Sequence, residues 1–211
     1  MHPHSPVCWI CNLRTVDADR AGPLPFVQIC SGCEATTQGY DESWRLLSRY
    51  LRDNWRDITT RGSFDLSKAF AVATVGAAVN VQLFFVKVLG SKLAADRIAV
   101  DLAPFASALL TAKPHPDVSL LVADAGVPQG KLYSYDSDVS VLRAGEEVQS
   151  ALWMYLLRPV AIKICYLKAG APVRVPTDSH PWHPTRQRKI VKLSPYKGDT
   201  QPLVARRDLR I

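Results

Sequence analysis

The chain has 211 residues, of which 47% are hydrophobic and 21% charged. These proportions are ordinary for a globular protein and exclude a wholly disordered chain. The net charge of +7 is unevenly distributed: residues 182–211 hold eight Lys or Arg and two Asp, whereas residues 1–60 hold six Arg and seven acidic residues. The basic C-terminal segment is therefore the first candidate surface for phosphate groups.

Four of the five cysteines form two CxxC pairs near the N-terminus, with the spacing C-x2-C-x18-C-x2-C: Cys8, Cys11, Cys30 and Cys33. This spacing is typical of a structural zinc site, in which four thiolates complete a tetrahedral shell and leave no position for a reacting water. The alternative is two disulfides, which need an oxidising compartment. The first residues, MHPHSPVCW, lack the features of a signal peptide. We therefore expect a cytoplasmic protein with bound zinc.

A helix is predicted after the second pair, from an N-cap at Asp41 to about Ile58. Its buried stripe is formed by apolar residues at helical spacing: Trp44, Leu47, Leu51, Trp55 and Ile58. The other face carries a row of four arginines, Arg45, Arg49, Arg52 and Arg56. Such a row can follow a nucleic-acid backbone. The alternative is a solvated face, partly paired with Asp41 and Asp53.

This part of the chain also resembles a known family. The sequence CSGCEATTQGYDESWRLLSRYLRDNW is similar to zinc-stapled members of the HNH (His-metal finger) endonuclease superfamily. It looks particularly like bacterial and phage proteins in which a polar turn and a Trp-bearing helix follow the second pair. The later segments FDLSKAF, VNVQLFFVKVLG and IAVDLAPF are similar to the same group. The resemblance covers roughly the first half of the chain and implies a treble-clef-like zinc module.

The departures from the family concern its reaction. The family places a His general base between the cysteine pairs and two Asn after the second pair. Here residues 12–29 contain no His, and Glu34 and Ala35 stand where the Asn pair would fall. Without a base, no group takes the proton from an attacking water. The resemblance therefore implies a catalytically degenerate nucleic-acid-binding protein, a subunit or inhibitor of a nucleoprotein complex of CRISPR or phage type.

An active endonuclease with a rearranged metal site is the alternative function. Three acidic residues near the cysteine pairs would then be the ligands of the catalytic metal: Asp17, Asp19 and Glu34. His180 or His183 would be the general base. This hypothesis requires the fold to bring the distant histidines to the N-terminal module.

The stretch from Ala69 to Val86 is apolar for most of its length, which raises the question of whether it spans a membrane. It contains Thr74, Asn80 and Gln82, and it is only about the minimum length of a membrane span. We predict a buried core helix, near residues 77–95, and no membrane partner. A second helix is predicted after IAVDLAPF.

The remaining segments favour β-structure. They are rich in β-branched and aromatic residues, with Gly or Pro between them: DVSLLVAD, KLYSYDSDVSVL, ALWMYLLRPVAIKICYLK and KIVKLSP. Sequential strands with short turns predict an antiparallel sheet, and Cys165 is predicted to be a buried residue of it. The predicted class is α+β, with a zinc module at residues 1–60 and an α+β domain at residues 61–211. No motif indicates a small-molecule substrate.

The motif HPWHP, residues 180–184, combines two histidines, a tryptophan and two prolines. The prolines exclude a helix that would present both histidines on one face, so a rigid exposed loop is predicted. In a sharper interpretation, Trp182 stacks on bases, and the basic residues that follow bind nucleic acid: Arg186, Arg188, Lys189 and Lys192. The alternative is a charged strand edge that prevents aggregation.

Overall fold

The computed structural model describes residues 7–14, 16, 29–70, 74–124, 134–136, 139–157, 160–171, 173–174, 180–184, 189–194 and 204–205. Its helices are α1 (Ser31–Asp53), α2 (Trp55–Arg61), α3 (Leu66–Ala69), α4 (Thr74–Ala95) and α5 (Ala103–Thr111). Its strands are β1 (Ser63–Asp65), β2 (Val118–Asp124), β3 (Ser134–Asp136), β4 (Ser140–Ala144), β5 (Glu147–Leu157), β6 (Val160–Leu167), β7 (Val173–Arg174), β8 (Ile190–Lys192) and β9 (Val204–Ala205). The predicted α+β class is confirmed.

Helix α1 begins at Ser31, so the predicted N-cap at Asp41 was wrong. Cys30, in extended conformation with φ −76° and ψ 161°, is the N-cap instead. The polar segment that resembles a turn continues the helix because its hydroxyls bond to the helix itself. The Thr37 hydroxyl, for example, donates to the Cys33 carbonyl at 2.9 Å. Asp41 lies within the helix, where its carboxylate is 2.5 Å from Lys87 Nζ.

The apolar stripe of α1 packs against α4. The Trp44 ring stacks on Phe84 at 5.6 Å and meets the edge of Phe85 at 4.7 Å between ring centroids. Leu47, Leu51 and Ile58 are buried as predicted. The stripe fails at Trp55, which is only half-buried, because Asn54 breaks the helix and changes its phase.

Helix α4 is the core helix of the fold. Nearly every side chain from residue 81 to residue 93 is buried, including Lys87 and Lys92. Among the described helices, α4 alone is long and apolar enough to cross a membrane, and 67% of its apolar window is buried inside the protein. The predicted buried core helix is confirmed.

The main sheet is antiparallel, with β6 between β2 and β5, and with β3 and β4 both paired to β5. One face packs on the helices as part of the main core, through residues that include Leu120, Ile164 and Trp153. The opposite face holds two further buried clusters: Leu121, Leu152 and Cys165, and Ala123, Met154 and Ala161. The predicted burial of Cys165 is confirmed.

The motif HPWHP is not an exposed loop. Trp182, His183 and Pro184 are all buried. The Trp182 backbone exchanges two hydrogen bonds with Leu120 of β2, at 2.7 and 3.0 Å. Its indole is 7% exposed and belongs to the main core. The exposed-loop prediction was wrong, and Trp182 presents no free face for base stacking.

A two-stranded ribbon joins distant parts of the chain. Strand β8 pairs antiparallel with β1, with Ser63 opposite Lys192 and Asp65 opposite Ile190. The central residues Phe64 and Val191 are buried, whereas Lys192 and Ile190 are exposed. Lys189 and Lys192 of the basic C-terminal segment thereby lie close to the end of α2.

Candidate metal centre and basic surface

The first cysteine pair lies in a tight turn. The Cys8 N–H donates to the Arg14 carbonyl, and the Asn12 N–H donates to the Cys8 carbonyl, each at 2.8 Å. Asn12 has a φ of +51°, a left-handed conformation that Asn tolerates better than most residues. These bonds direct the thiols of Cys8 and Cys11 toward the same point.

The second pair lies at the start of α1. Cys30 is the N-cap, and Cys33 lies in the first turn, where the Glu34 N–H donates to the Cys30 carbonyl at 2.9 Å. The N-terminus of this 23-residue helix carries partial positive charge, which favours thiolates.

The four thiols form one compact cluster. The Sγ atoms of Cys8, Cys11, Cys30 and Cys33 all lie within 4.8 Å of one another. The Sγ atoms of Cys11 and Cys30 are 3.8 Å apart, close to the edge of about 3.8 Å that tetrahedral coordination with Zn–S bonds of about 2.3 Å requires. All four cysteines are free, so the arrangement is compatible with a metal site and contains no disulfide between them.

The pKa values of two thiols in the cluster are shifted in opposite directions. The backbone N–H of Leu13 is the main cause that lowers the pKa of Cys11 to about 6. Burial raises the pKa of Cys33. A divalent cation would allow all four groups to be thiolates at once. The Arg14 guanidinium adds positive charge, because it lies against Gly32 in the first turn of α1. The residues present therefore fit a four-thiolate metal ion.

The cysteine turn is fixed to the core helix by Trp9. The Trp9 Nε1 donates to Ser91 Oγ of α4 at 3.1 Å. The indole lies so close to Gly90 that a Cβ on this residue would be 2.5 Å from the ring. Cys8, Cys30 and Cys33 belong to the same buried cluster as α1 and α4. The division of the chain at residue 60 stays a prediction, but packing couples the metal cluster to the helices beyond it.

A pair of glycine variants tests this coupling. Gly90→Ala is expected to lower the unfolding free energy by about 1–3 kcal/mol, as overpacking does, because the new methyl group displaces Trp9 from Ser91. Gly76→Ala is the matched control: it lies in the same helix with open space around its Cβ, and it should stabilise by about 0.5–1 kcal/mol. Urea unfolding measures both values. Equal stabilisation by the two changes would show that Trp9 does not pack against Gly90.

The arginine row is exposed at all four positions: Arg45, Arg49, Arg52 and Arg56. Its ion pairs differ from those predicted. Arg45 donates to Glu42 at 2.5 and 2.6 Å, and Arg52 lies 3.8 Å from Asp53. The carboxylate of Asp41 instead contacts the buried Lys87, so its predicted pairing with the row was wrong. Exposed ion pairs contribute little stability, so the row can exchange these partners for phosphates.

The ribbon holds two lysines close to the end of α2. Lys189 and Lys192 are exposed, and their strand pairs with β1, which follows α2 directly. Residues 42–68 and 189–194, here called the basic surface region, contain eight Lys or Arg and four acidic residues. The structure thus gathers cations that are far apart in the sequence. Arg186 and Arg188 lie outside the described residues.

A buried polar network surrounds His115, and no sequence pattern predicted it. The Gln82 side chain donates to the carbonyls of His115 and Val118, each at 2.8 Å, and accepts from the His115 N–H at 3.1 Å. His183 Nε2 lies 2.8 Å from the His115 carbonyl. His115 stands between Pro114 and Pro116 in a polar segment. This pattern is typical of a loop, and nothing in it indicates burial. His183, a predicted general base, lies in the core. Asp17 and Asp19, two of the predicted ligands of a catalytic metal, lie outside the described residues.

No family model matches the chain, and comparisons with curated proteins and with solved structures find no match to it either.

Proposed function

We propose that this protein is a zinc-stapled, catalytically degenerate relative of HNH-type proteins, which binds nucleic acid as a subunit or inhibitor of a nucleoprotein complex of CRISPR or phage type in the cytoplasm. Zinc occupies the four-cysteine cluster and has a structural role. The nucleic acid lies on the basic surface region. Protein partners in the complex contact other surfaces of the chain.

The donor set supports zinc over other metals. Four thiolates in a compact cluster suit Zn²⁺, which takes tetrahedral sulfur ligands, whereas Mg²⁺ and Ca²⁺ prefer oxygen. A four-coordinate site has no open position for a substrate or a water. The role of the metal is therefore to hold the cysteine turn against the start of α1.

One observation carries the binding proposal: β8, with Lys189 before it and Lys192 in it, pairs with β1, the strand that directly follows α2. Two separate basic segments of the sequence then form one region in which cations outnumber acidic residues by two to one. A region of this kind suits the phosphate backbone, whose affinity for proteins comes largely from released counterions.

The position of His183 supports a binding role over a reaction. Its Nε2 is engaged with the His115 carbonyl, and the side chain is buried. A general base must reach an attacking water. A histidine enclosed in the core is poorly placed for that task.

The salt dependence of nucleic-acid binding tests the proposal. Each lost phosphate contact flattens the plot of log affinity against log salt by about 0.9 on duplex DNA and about 0.7 on single strands. Combined Arg49→Ala, Arg52→Ala and Arg56→Ala changes should flatten the slope by roughly 2–3 units if all three side chains contact phosphates. Combined Lys189→Ala and Lys192→Ala changes should flatten it by roughly 1–2 units. Fluorescence anisotropy at several salt concentrations provides the slopes.

Lys113→Ala is the control for this experiment. Lys113 is equally exposed, but it follows α5 and lies outside the basic surface region, so the slope should not change. An unchanged slope in both multiple variants would argue against this surface. A wild-type protein that binds no nucleic acid at low salt would overturn the proposed function.

A further inference from the structure

Four of the five tryptophans have an evident structural role. Trp44, Trp153 and Trp182 are buried in the main core, and Trp9 is fixed to α4 through Ser91. Trp55 differs from all of them. It is half-buried, and within the part of the chain that the structure describes it is not among the residues packed on the main core. Packing in the core does not explain this large apolar side chain.

Trp55 lies at the junction of α1 and α2, within the basic surface region. The Arg56 guanidinium is 5.7 Å from the centroid of its ring, a distance at which a cation interacts with an aromatic face. Exposed cations precede it in α1, at Arg49 and Arg52. The partly accessible indole thus has one cation over its ring and further exposed arginines in the preceding helix.

The ribbon presents a second apolar group among cations. Ile190 is 50% exposed, lies next to Lys189 and is separated from Lys192 by one residue. Its neighbour Val191 is turned inward. Phosphates are recognised by charge and hydrogen bonds, and they need neither an indole nor an aliphatic side chain. The basic surface region therefore carries apolar groups that have no role if only a phosphate backbone is bound.

Unpaired bases supply the missing partner for these groups. In a duplex the flat faces of the bases are covered by neighbouring base pairs, whereas in a single strand they are open for stacking on aromatic side chains. We propose that the basic surface region binds single-stranded nucleic acid and that Trp55 is the residue on which a base stacks. This inference rests on the proposed function and replaces Trp182, whose indole is enclosed in the core, as the stacking residue.

The test uses the full-length, metal-loaded protein with three labelled probes: oligo-dT and oligo-rU of fifteen nucleotides, and a duplex of fifteen base pairs. Trp55→Ala should weaken binding to the single strands by about 5- to 100-fold, the effect of losing one stacked base. The salt slope should not change, because the indole neutralises no phosphate. Duplex affinity should also stay the same. Tighter binding of oligo-rU or of oligo-dT identifies RNA or DNA as the natural strand.

Trp55→Phe separates stacking from a structural effect, since the smaller ring still stacks and should retain most of the affinity. Intrinsic fluorescence gives a second readout: oligonucleotide should quench the wild-type protein, and Trp55→Phe should abolish that quenching. Leu110→Ala is the matched control. Leu110 is 53% exposed. It follows Leu109, whose carbonyl accepts from Tyr40 in the first half of α1, whereas Trp55 lies beyond the C-terminal end of that helix.

The outcomes are distinct. If single strands bind and Trp55→Ala does not weaken them while the arginine variants do, the stacking inference is overturned and the proposed function stands. A Trp55→Ala protein that loses its fold by circular dichroism shows a structural residue and also overturns the inference. If the wild-type protein binds none of the three probes, both proposals fail. Equal losses on duplex and single strands would exclude base stacking as the cause.

Discussion

Removal of the metal, by a chelator or by Cys30→Ser, is expected to unfold the cysteine turn and to lower the stability of the whole protein. Zinc binding in small modules contributes about 10–16 kcal/mol, whereas an entire domain is stable by about 5–15 kcal/mol. Packing of Cys8 and Ile10 in the main core offsets only part of this contribution. Trp9 adds a contact with Gly90 and Ser91 of α4.

The effect should extend beyond the cluster, because the buried thiols share one core with α1 and α4. Elemental analysis should give about one zinc per wild-type chain and much less for Cys30→Ser. Thermal unfolding should show a lower midpoint for the variant and for the chelated protein.

Cys165→Ser is the matched control, since it makes the same change at a buried cysteine on the opposite face of the sheet. It should leave the zinc content unchanged, although a hydroxyl in an apolar cluster costs about 1–3 kcal/mol. Full zinc content and wild-type stability in Cys30→Ser would contradict a structural metal site.

Acid is expected to destabilise the protein through His115. Burial, with a smaller contribution from His183, lowers the pKa of His115 from 6.5 to about 4. The unfolded chain therefore binds the proton more readily than the folded protein. The contribution of His115 to the free energy of unfolding is complete above pH 6.5 and is lost progressively as the pH falls toward 4. At pH 5 the loss from this one group should be about 2 kcal/mol relative to pH 7.5.

His115→Asn isolates this contribution. The Nδ1 of His115 accepts from the Asp117 N–H at 3.1 Å, and an Asn side-chain oxygen can make the same local bond without titrating. Urea unfolding at pH 7.5 and pH 5 should show a smaller difference for His115→Asn than for the wild type. Loss of metal at low pH affects both proteins alike, so it cancels in the comparison. An equal pH dependence in both would exclude His115 as the acid-sensitive group.

The features that the sequence predicted correctly depend on local patterns. The cysteine cluster could be predicted because each CxxC turn by itself presents two thiols on the same side. The continuous apolar run of α4 and the β-branched segments likewise carry their signal in neighbouring residues. The start of α1 was missed because the hydroxyl of Thr37 bonds within the helix, whereas the same residue types are common in turns.

The features that were not predicted depend on contacts between distant segments. Trp182 and His183 are buried because Leu120 of β2 pairs with their backbone, and no local property of HPWHP indicates that partner. Trp55 follows the apolar spacing of α1, and its exposure results from the break at Asn54. The basic surface region could not be foreseen for the same reason, since it requires the pairing of β1 with β8.

The β1–β8 ribbon also has a consequence for the order in which the protein can be completed on the ribosome. Ser63 pairs with Lys192, so well over half of the 211 residues must be synthesised between the two strands. Until β8 emerges, β1 has an open edge, and the apolar site that Val191 shares with Leu51 and Phe64 stays uncovered. A nascent chain at this stage is a substrate for chaperones that bind apolar surface. It also lacks Lys189 and Lys192, so the proposed nucleic-acid site is complete only after β8 has paired with β1.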